Sequence, residues 1–169
     1  MATCARPDCT LETHGKSKYC KTHKGEAFKA WKAKIQAASE ERDNRNATHA
    51  DLFRRADEAG RKAADACTPT PMVVTAHADQ FDDSSPVAQQ WVVDDGVCGF
   101  AWVTIRPGNC SAAIYAKKNL NFQPAYGGGM QLWVSSYNQS MARKEAYAEA
   151  YAGVLRTGGI QAYAGSRED

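Results

Sequence analysis

The stretch Cys98–Leu120, CGFAWVTIRPGNCSAAIYAKKNL, decides the fold class. Residues 98–105 are rich in aromatic and β-branched types and read as the strongest strand of the chain. Arg106-Pro107-Gly108-Asn109 ends it. Cys110–Leu120 then reads as a short helix with Asn109 as its cap. Upstream, AQQWVV (88–93) is a second strand, and the Asp94-Asp95-Gly96 turn predicts that it pairs with 98–105 as an antiparallel hairpin. MVVTAH (72–77) is a further short strand. Downstream, Gly127-Gly128-Gly129 precedes the strand MQLWVSS (130–136). A helix follows, capped by Ser140 and ended by Gly158-Gly159, with Tyr147, Tyr151, Val154 and Leu155 on one apolar face. IQAYA (160–164) reads as a last strand. Residues 72–169 are therefore expected to form an α+β domain, a mostly antiparallel sheet with two helices on one face.

Cys67-Thr-Pro-Thr-Pro71 reads as a linker in front of that domain. Before it, residues 26–66 lack proline, contain a single glycine, and are rich in Ala, Lys, Arg and Glu, so they read as a helical arm. Apolar residues recur at heptad spacing at both ends of the arm, as at Phe28, Trp31 and Ile35. The centre, ERDNRN (41–46), is polar. Two forms follow: a helical hairpin broken near Asn44–Thr48, where Thr48-x-x-Asp51 offers a new cap, or one long helix. The polar centre favours the break.

The first 25 residues carry Cys4-x4-Cys9-x10-Cys20-x2-His23. Two close pairs of thiolate and imidazole ligands joined by a short loop predict a tetrahedral zinc knuckle. Four protein ligands leave no position open for water, so the zinc is expected to be structural. His14 is a spare imidazole in the loop. Charge is uneven along the chain. Met1–Lys34 holds eight Lys/Arg against three Asp/Glu, and Cys67–Asp95 holds five acids and no base. Lys16, Lys18, Lys21 and Lys24 around the knuckle, with Lys29 and Lys32 beyond it, outline a surface for a phosphate backbone. Arg143 and Lys144 beside the free N–H groups of the last helix are a second candidate for phosphate.

Catalytic patterns are weak. His77 with Asp79, Asp82 and Asp83 is the one grouping that suggests a divalent metal, and its residues lack a fixed ligand spacing. The glycine triplet leads into a strand, where a phosphate loop leads into a helix. Cys67, Cys98 and Cys110 lack metal spacing and are expected to be buried thiols. Trp91, Trp102, Trp133, Tyr126 and Tyr137 are either core or, where strand alternation turns them outward, platforms for stacking. No apolar run reaches the ~20 residues of a membrane span. Nor does an apolar stretch follow Met1, so a cytosolic protein without a membrane partner is expected.

GGGMQLWV…NQSMARKEAYAEAYAGVL resembles the end of a double-stranded-RNA-binding domain, without that family's lysine pair in its usual place. VCGFAWVTIRPGN together with NQSMARKEAYAEAYAGVLRTGGIQAYAGSRED resembles a group of small uncharacterised actinobacteriophage proteins. The N-terminal knuckle is similar to those of many phage DNA-associated proteins. The resemblance implies an origin and a compartment. The expected function is a zinc-containing phage accessory protein that binds DNA or RNA. The alternatives are an adaptor or inhibitor of a host or phage protein, acting through the arm or the acidic segment, and a metal-dependent nuclease.

Overall fold

The computed structural model describes residues 2–13 and 15–169. The chain forms two compact units, Met1–Ala47 and Thr48–Asp169. Helix α1 spans Lys21–Ala66 without interruption. The expected break near Asn44–Thr48 does not occur: no residue there removes a backbone donor or forces a left-handed turn, and side-chain pairs at helical spacing continue through the following turns. Asp51, the proposed cap partner, instead holds Arg54 at 2.7 Å and Arg55 at 3.0 Å.

The Thr48–Asp169 unit is α+β, as its sequence predicts. Its strands are β1 (Met72–His77), β2 (Val87–Val93), β3 (Gly99–Ile105), β4 (Gln123–Pro124), β5 (Met130–Trp133) and β6 (Ala162–Glu168). The helices α2 (Ser111–Asn119) and α3 (Met141–Thr157) alternate with the later strands. Strands β1 and β2 form a separate antiparallel hairpin. The other four form one antiparallel sheet in the order β4-β5-β3-β6. From β3 onward the chain therefore runs β-α-β-β-α-β, the split arrangement in which the first and third strands lie at the centre. The expected pairing of β2 with β3 is wrong. Both edges of β3 are taken, by β5 and by β6, so β2 turns back to β1. Helix α2 is capped by Cys110, whose sulfur accepts from the Ala113 N–H, rather than by Asn109.

The core lies between the sheet and the helices. Ala101, Val103 and Ile105 of β3 are fully buried, as are Ala148, Ala152 and Leu155 of α3. The end of α1 belongs to this core: Leu52, Phe53, Ala56 and Ala64 are buried in it. The compact units thus divide inside α1, whereas the sequence places its domain boundary at 67–71. Phe53 stacks on Tyr115 of α2 and meets Phe122 and Tyr151 edgewise or at a tilt. Gly60 lies against Tyr147 so closely that a Cβ there would be 2.8 Å from the ring. Gly60→Ala is therefore expected to lower the unit's urea midpoint. Overpacking of about 1–3 kcal/mol outweighs the ~1 kcal/mol gain in helix propensity.

Candidate metal centre and basic face

Backbone hydrogen bonds shape the N-terminal knuckle around its converging side chains. Thr3 bridges Glu12 in antiparallel fashion, with the Cys4 N–H donating to the Leu11 carbonyl at 3.0 Å. A turn closes from Cys9 N–H to Arg6 carbonyl, across Pro7-Asp8. Cys20 then precedes α1, and its carbonyl accepts the Lys24 N–H. His23 follows in the first turn of the helix. One ligand pair thus sits on a turn and the other on a helix start, so each pair is spaced by local structure.

The four ligand atoms of Cys4, Cys9, Cys20 and His23 all lie within 4.8 Å of one another. Nδ1 of His23 is 3.5 Å from Cys4 Sγ and 3.4 Å from Cys20 Sγ, and the Cys9 and Cys20 sulfurs are 3.9 Å apart. Cys4 and Cys20 are buried, with Cys9 and His23 half-buried. The Arg6 and Cys20 N–H groups, then the His23 ring and Cys20 thiol, bring the Cys4 thiol down to about 6. The Cys9 thiol is moved upward. The Leu11 N–H favours its thiolate, but desolvation and the neighbouring Cys20 and Cys4 sulfurs outweigh that. Three sulfurs this close repel one another as thiolates, and a divalent cation among them removes the repulsion. The donor set therefore fits a metal ion. His14 lies outside the described residues. Among the described residues no other group of three potential ligands converges on a metal-sized site.

Lys16, Lys18, Lys21, Lys24, Lys29 and Lys32 are set apart from the acids: among the described residues none of them forms an ion pair. Helical spacing puts Lys21, Lys24 and Lys32 in one ~100° sector with Phe28, Trp31 and Ile35. Those three apolar residues are each more than half exposed. The Phe28 and Trp31 rings touch, 5.7 Å between centroids. Their heptad spacing predicts a packing seam; in the Met1–Ala47 unit they are bare.

The second candidate for phosphate needs correction. Lys144 is buried, its ammonium 2.9 Å from the Gly99 carbonyl and 5.6 Å from the centre of the Phe100 ring. Its charge is held inside the fold. Arg143 is half-buried, and its Nε has no hydrogen-bond partner among the described residues. Ser140 occupies the cap position of α3, but its hydroxyl donates to the Asp95 carbonyl at 2.7 Å.

The acidic loop is bound up in its own turns. Asp79 accepts from the Phe81 N–H, and Asp82 accepts from the Ser84 N–H and hydroxyl, which pulls the Asp82 carboxyl below its ordinary value. His77 Nδ1 is 2.8 Å from the Ser85 carbonyl. These side chains point into local hydrogen bonds and do not meet. Cys67, Cys98 and Cys110, expected to be buried, are half-buried. Among the described residues no helix is long and apolar enough to cross a membrane. No family model, curated protein or solved structure matches the chain.

Proposed function

We propose that the chain is a zinc-containing nucleic-acid-binding protein, and that the Met1–Ala47 unit is its phosphate-binding part. The observation that carries this is the exposed sector of α1, where unpaired lysines interleave with Phe28 and Trp31 directly after the knuckle. Lysines meet phosphates, and the rings offer stacking or groove contact. Zinc is the ion that suits the centre. Bonds of its usual length to sulfur and nitrogen give tetrahedron edges of about 3.8 Å between sulfurs and about 3.6 Å from sulfur to nitrogen. The distances of 3.9, 3.5 and 3.4 Å are close to these values. All four positions being protein ligands, the zinc holds structure and does no chemistry. A phage protein acting in a bacterial cytoplasm is the setting in which we read this function.

The test is binding of labelled duplex and single-stranded oligonucleotides between about 50 and 200 mM salt. Affinity falls steeply with salt. Lys21→Glu, Lys24→Glu and Lys32→Glu together weaken binding at least about tenfold and flatten the log–log salt slope by about one for each phosphate no longer neutralised. Absence of binding at the lowest salt sinks the reading.

A second reading has its own observation. Phe28, Trp31 and Ile35 form an exposed apolar stripe, which also suits a partner helix. For an adaptor, Phe28→Ala with Trp31→Ala abolishes capture of a host protein from nuclease-treated lysate, and the lysine changes leave capture intact.

A further inference from the structure

We infer that the open face of the four-stranded sheet is a stacking platform for an unpaired nucleic-acid strand, a site distinct from the basic face of the Met1–Ala47 unit. Alternation builds the face. On β3, Ala101, Val103 and Ile105 point into the core, so Phe100, Trp102 and Thr104 lie on the other side. The register carries that side across the sheet. Trp102 is opposite Trp133 on β5 and Gly165 on β6; Thr104 is opposite Gln131 and Tyr163; Phe100 is opposite Arg167. The core and the helices occupy the opposite face. Rings from both central strands and one edge strand therefore share a surface, with Trp133 46% and Tyr163 53% exposed.

The rings form one cluster. The Trp102 and Trp133 centroids are 5.0 Å apart with their planes tilted by 48°, and Phe100 meets Trp133 edge-on. Trp102 spreads across β6 because residue 165 is glycine: a Cβ there would be 2.7 Å from the indole nitrogen. Trp102, Thr104, Arg106 and Tyr163 line a concavity of about 250 Å³.

Charge identifies the occupant. In this unit Arg54, Arg55, Arg61 and Arg156 each hold a carboxylate. Arg106 and Arg167, the two arginines at this face, are exposed and hold none among the described residues. No carboxylate stands on the strand positions of this face. The Arg167 guanidinium lies over Phe100, 5.4 Å from its centre. Between cations and rings, the half-buried Gln131 amide has no hydrogen-bond partner among the described residues, while Thr104 is buried at 8% exposure and forms part of the floor. Flat rings suit bases, free arginines suit phosphates, and uncommitted polar groups suit base edges or ribose. A duplex keeps its base faces stacked inside, so only an unpaired strand can use the rings.

The test uses the full chain with its metal. An oligouridylate of about 12 nucleotides, within the site sizes of single-strand binders, the matching oligothymidylate and a duplex are titrated. The proteins compared are the parent, Trp133→Ala/Tyr163→Ala, and Trp133→Phe/Tyr163→Phe. The expected result is a loss of single-strand affinity of roughly tenfold or more in the alanine pair, little loss in the phenylalanine pair, and unchanged duplex binding. Iodouridine crosslinks map to peptides holding Trp102, Trp133 or Tyr163. If the alanine pair melts early, Arg106→Gln/Arg167→Gln replaces it, with the same loss expected. Unaltered single-strand affinity, or crosslinks confined to residues 1–47, overturns this inference and leaves the basic-face reading standing. Sheet crosslinks that survive the Lys21/Lys24/Lys32 reversal support the sheet site even if the basic face fails its own test.

Discussion

Chelation of the metal is expected to unfold the knuckle completely and leave the Thr48–Asp169 unit folded. Residues 2–20 bury little: Cys4, Cys20 and Thr13 are the buried side chains among the described ones, and two of these three belong to the Cys/His cluster. So short a segment has no core to fall back on. Structural zinc in such peptides supplies about 10–16 kcal/mol of apparent binding energy at neutral pH, and for the zinc site proposed above that energy would be the folding energy. Removing the ion leaves three thiols and an imidazole within 4.8 Å with nothing to hold them together. Amide NMR spectra before and after chelation check this. Signals of residues 2–20 should collapse toward unfolded positions, while those of 48–169 stay put, and metal analysis should give one ion per chain. Cys20→Ser should reproduce the collapse, because Cys20 is 2% exposed, touches both Cys9 and His23, and caps the helix. Unmoved N-terminal signals after complete metal removal would rule out the knuckle as a metal-built structure.

The convergence of Cys4, Cys9, Cys20 and His23 is legible in the sequence because spacing carries it. Each close pair in Cys4-x4-Cys9 and Cys20-x2-His23 sits on one local turn, so its geometry is written in a few consecutive residues. The strand and helix content of residues 72–169 is legible for the same reason, through alternation in GFAWVTI and the 3.6-residue period around Tyr147, Tyr151 and Leu155. Strand partners are not. The Asp-Gly turn at 95–96 points locally to a β2–β3 hairpin, but β3 gains more from β5 and β6, whose positions depend on α2 and α3 packing beneath. Lys144 cannot be placed from its neighbours in sequence, because a lysine early in a helix looks solvated; only the tertiary fold brings the Gly99 carbonyl and Phe100 to it. The outward set of Trp102, Trp133 and Tyr163 is half legible: alternation says that one face is outward, and register alone says which rings share it.

Phe53→Ala is expected to cost the Thr48–Asp169 unit about 3–5 kcal/mol, the usual loss for a large buried aromatic. Phe53 is 1% exposed and bridges Tyr115 of α2, Phe122 and Tyr151 of α3. Its removal opens a cavity where three elements meet, and none of the surrounding rings can collapse into it without leaving another neighbour. Domains of this size have about 5–15 kcal/mol in all, so the variant should be partly unfolded at about 37 °C or close to it. The control is Phe28→Ala in the same helix. Phe28 is 60% exposed, so its loss should shift the unit's stability by less than about 0.5 kcal/mol. Urea denaturation followed by tryptophan fluorescence reads both, since Trp102 and Trp133 report on the sheet. The contrast tests where α1 belongs. Phe28 and Phe53 are the same residue type in one helical arm, yet only residues from Leu52 onward are built into a core. Equal midpoints for the two variants would mean that the end of α1 is not part of the folded unit. A loss confined to Phe53→Ala would mean that the helix is divided in its work: its end completes the α+β core, and its exposed start contributes nothing to that unit's stability.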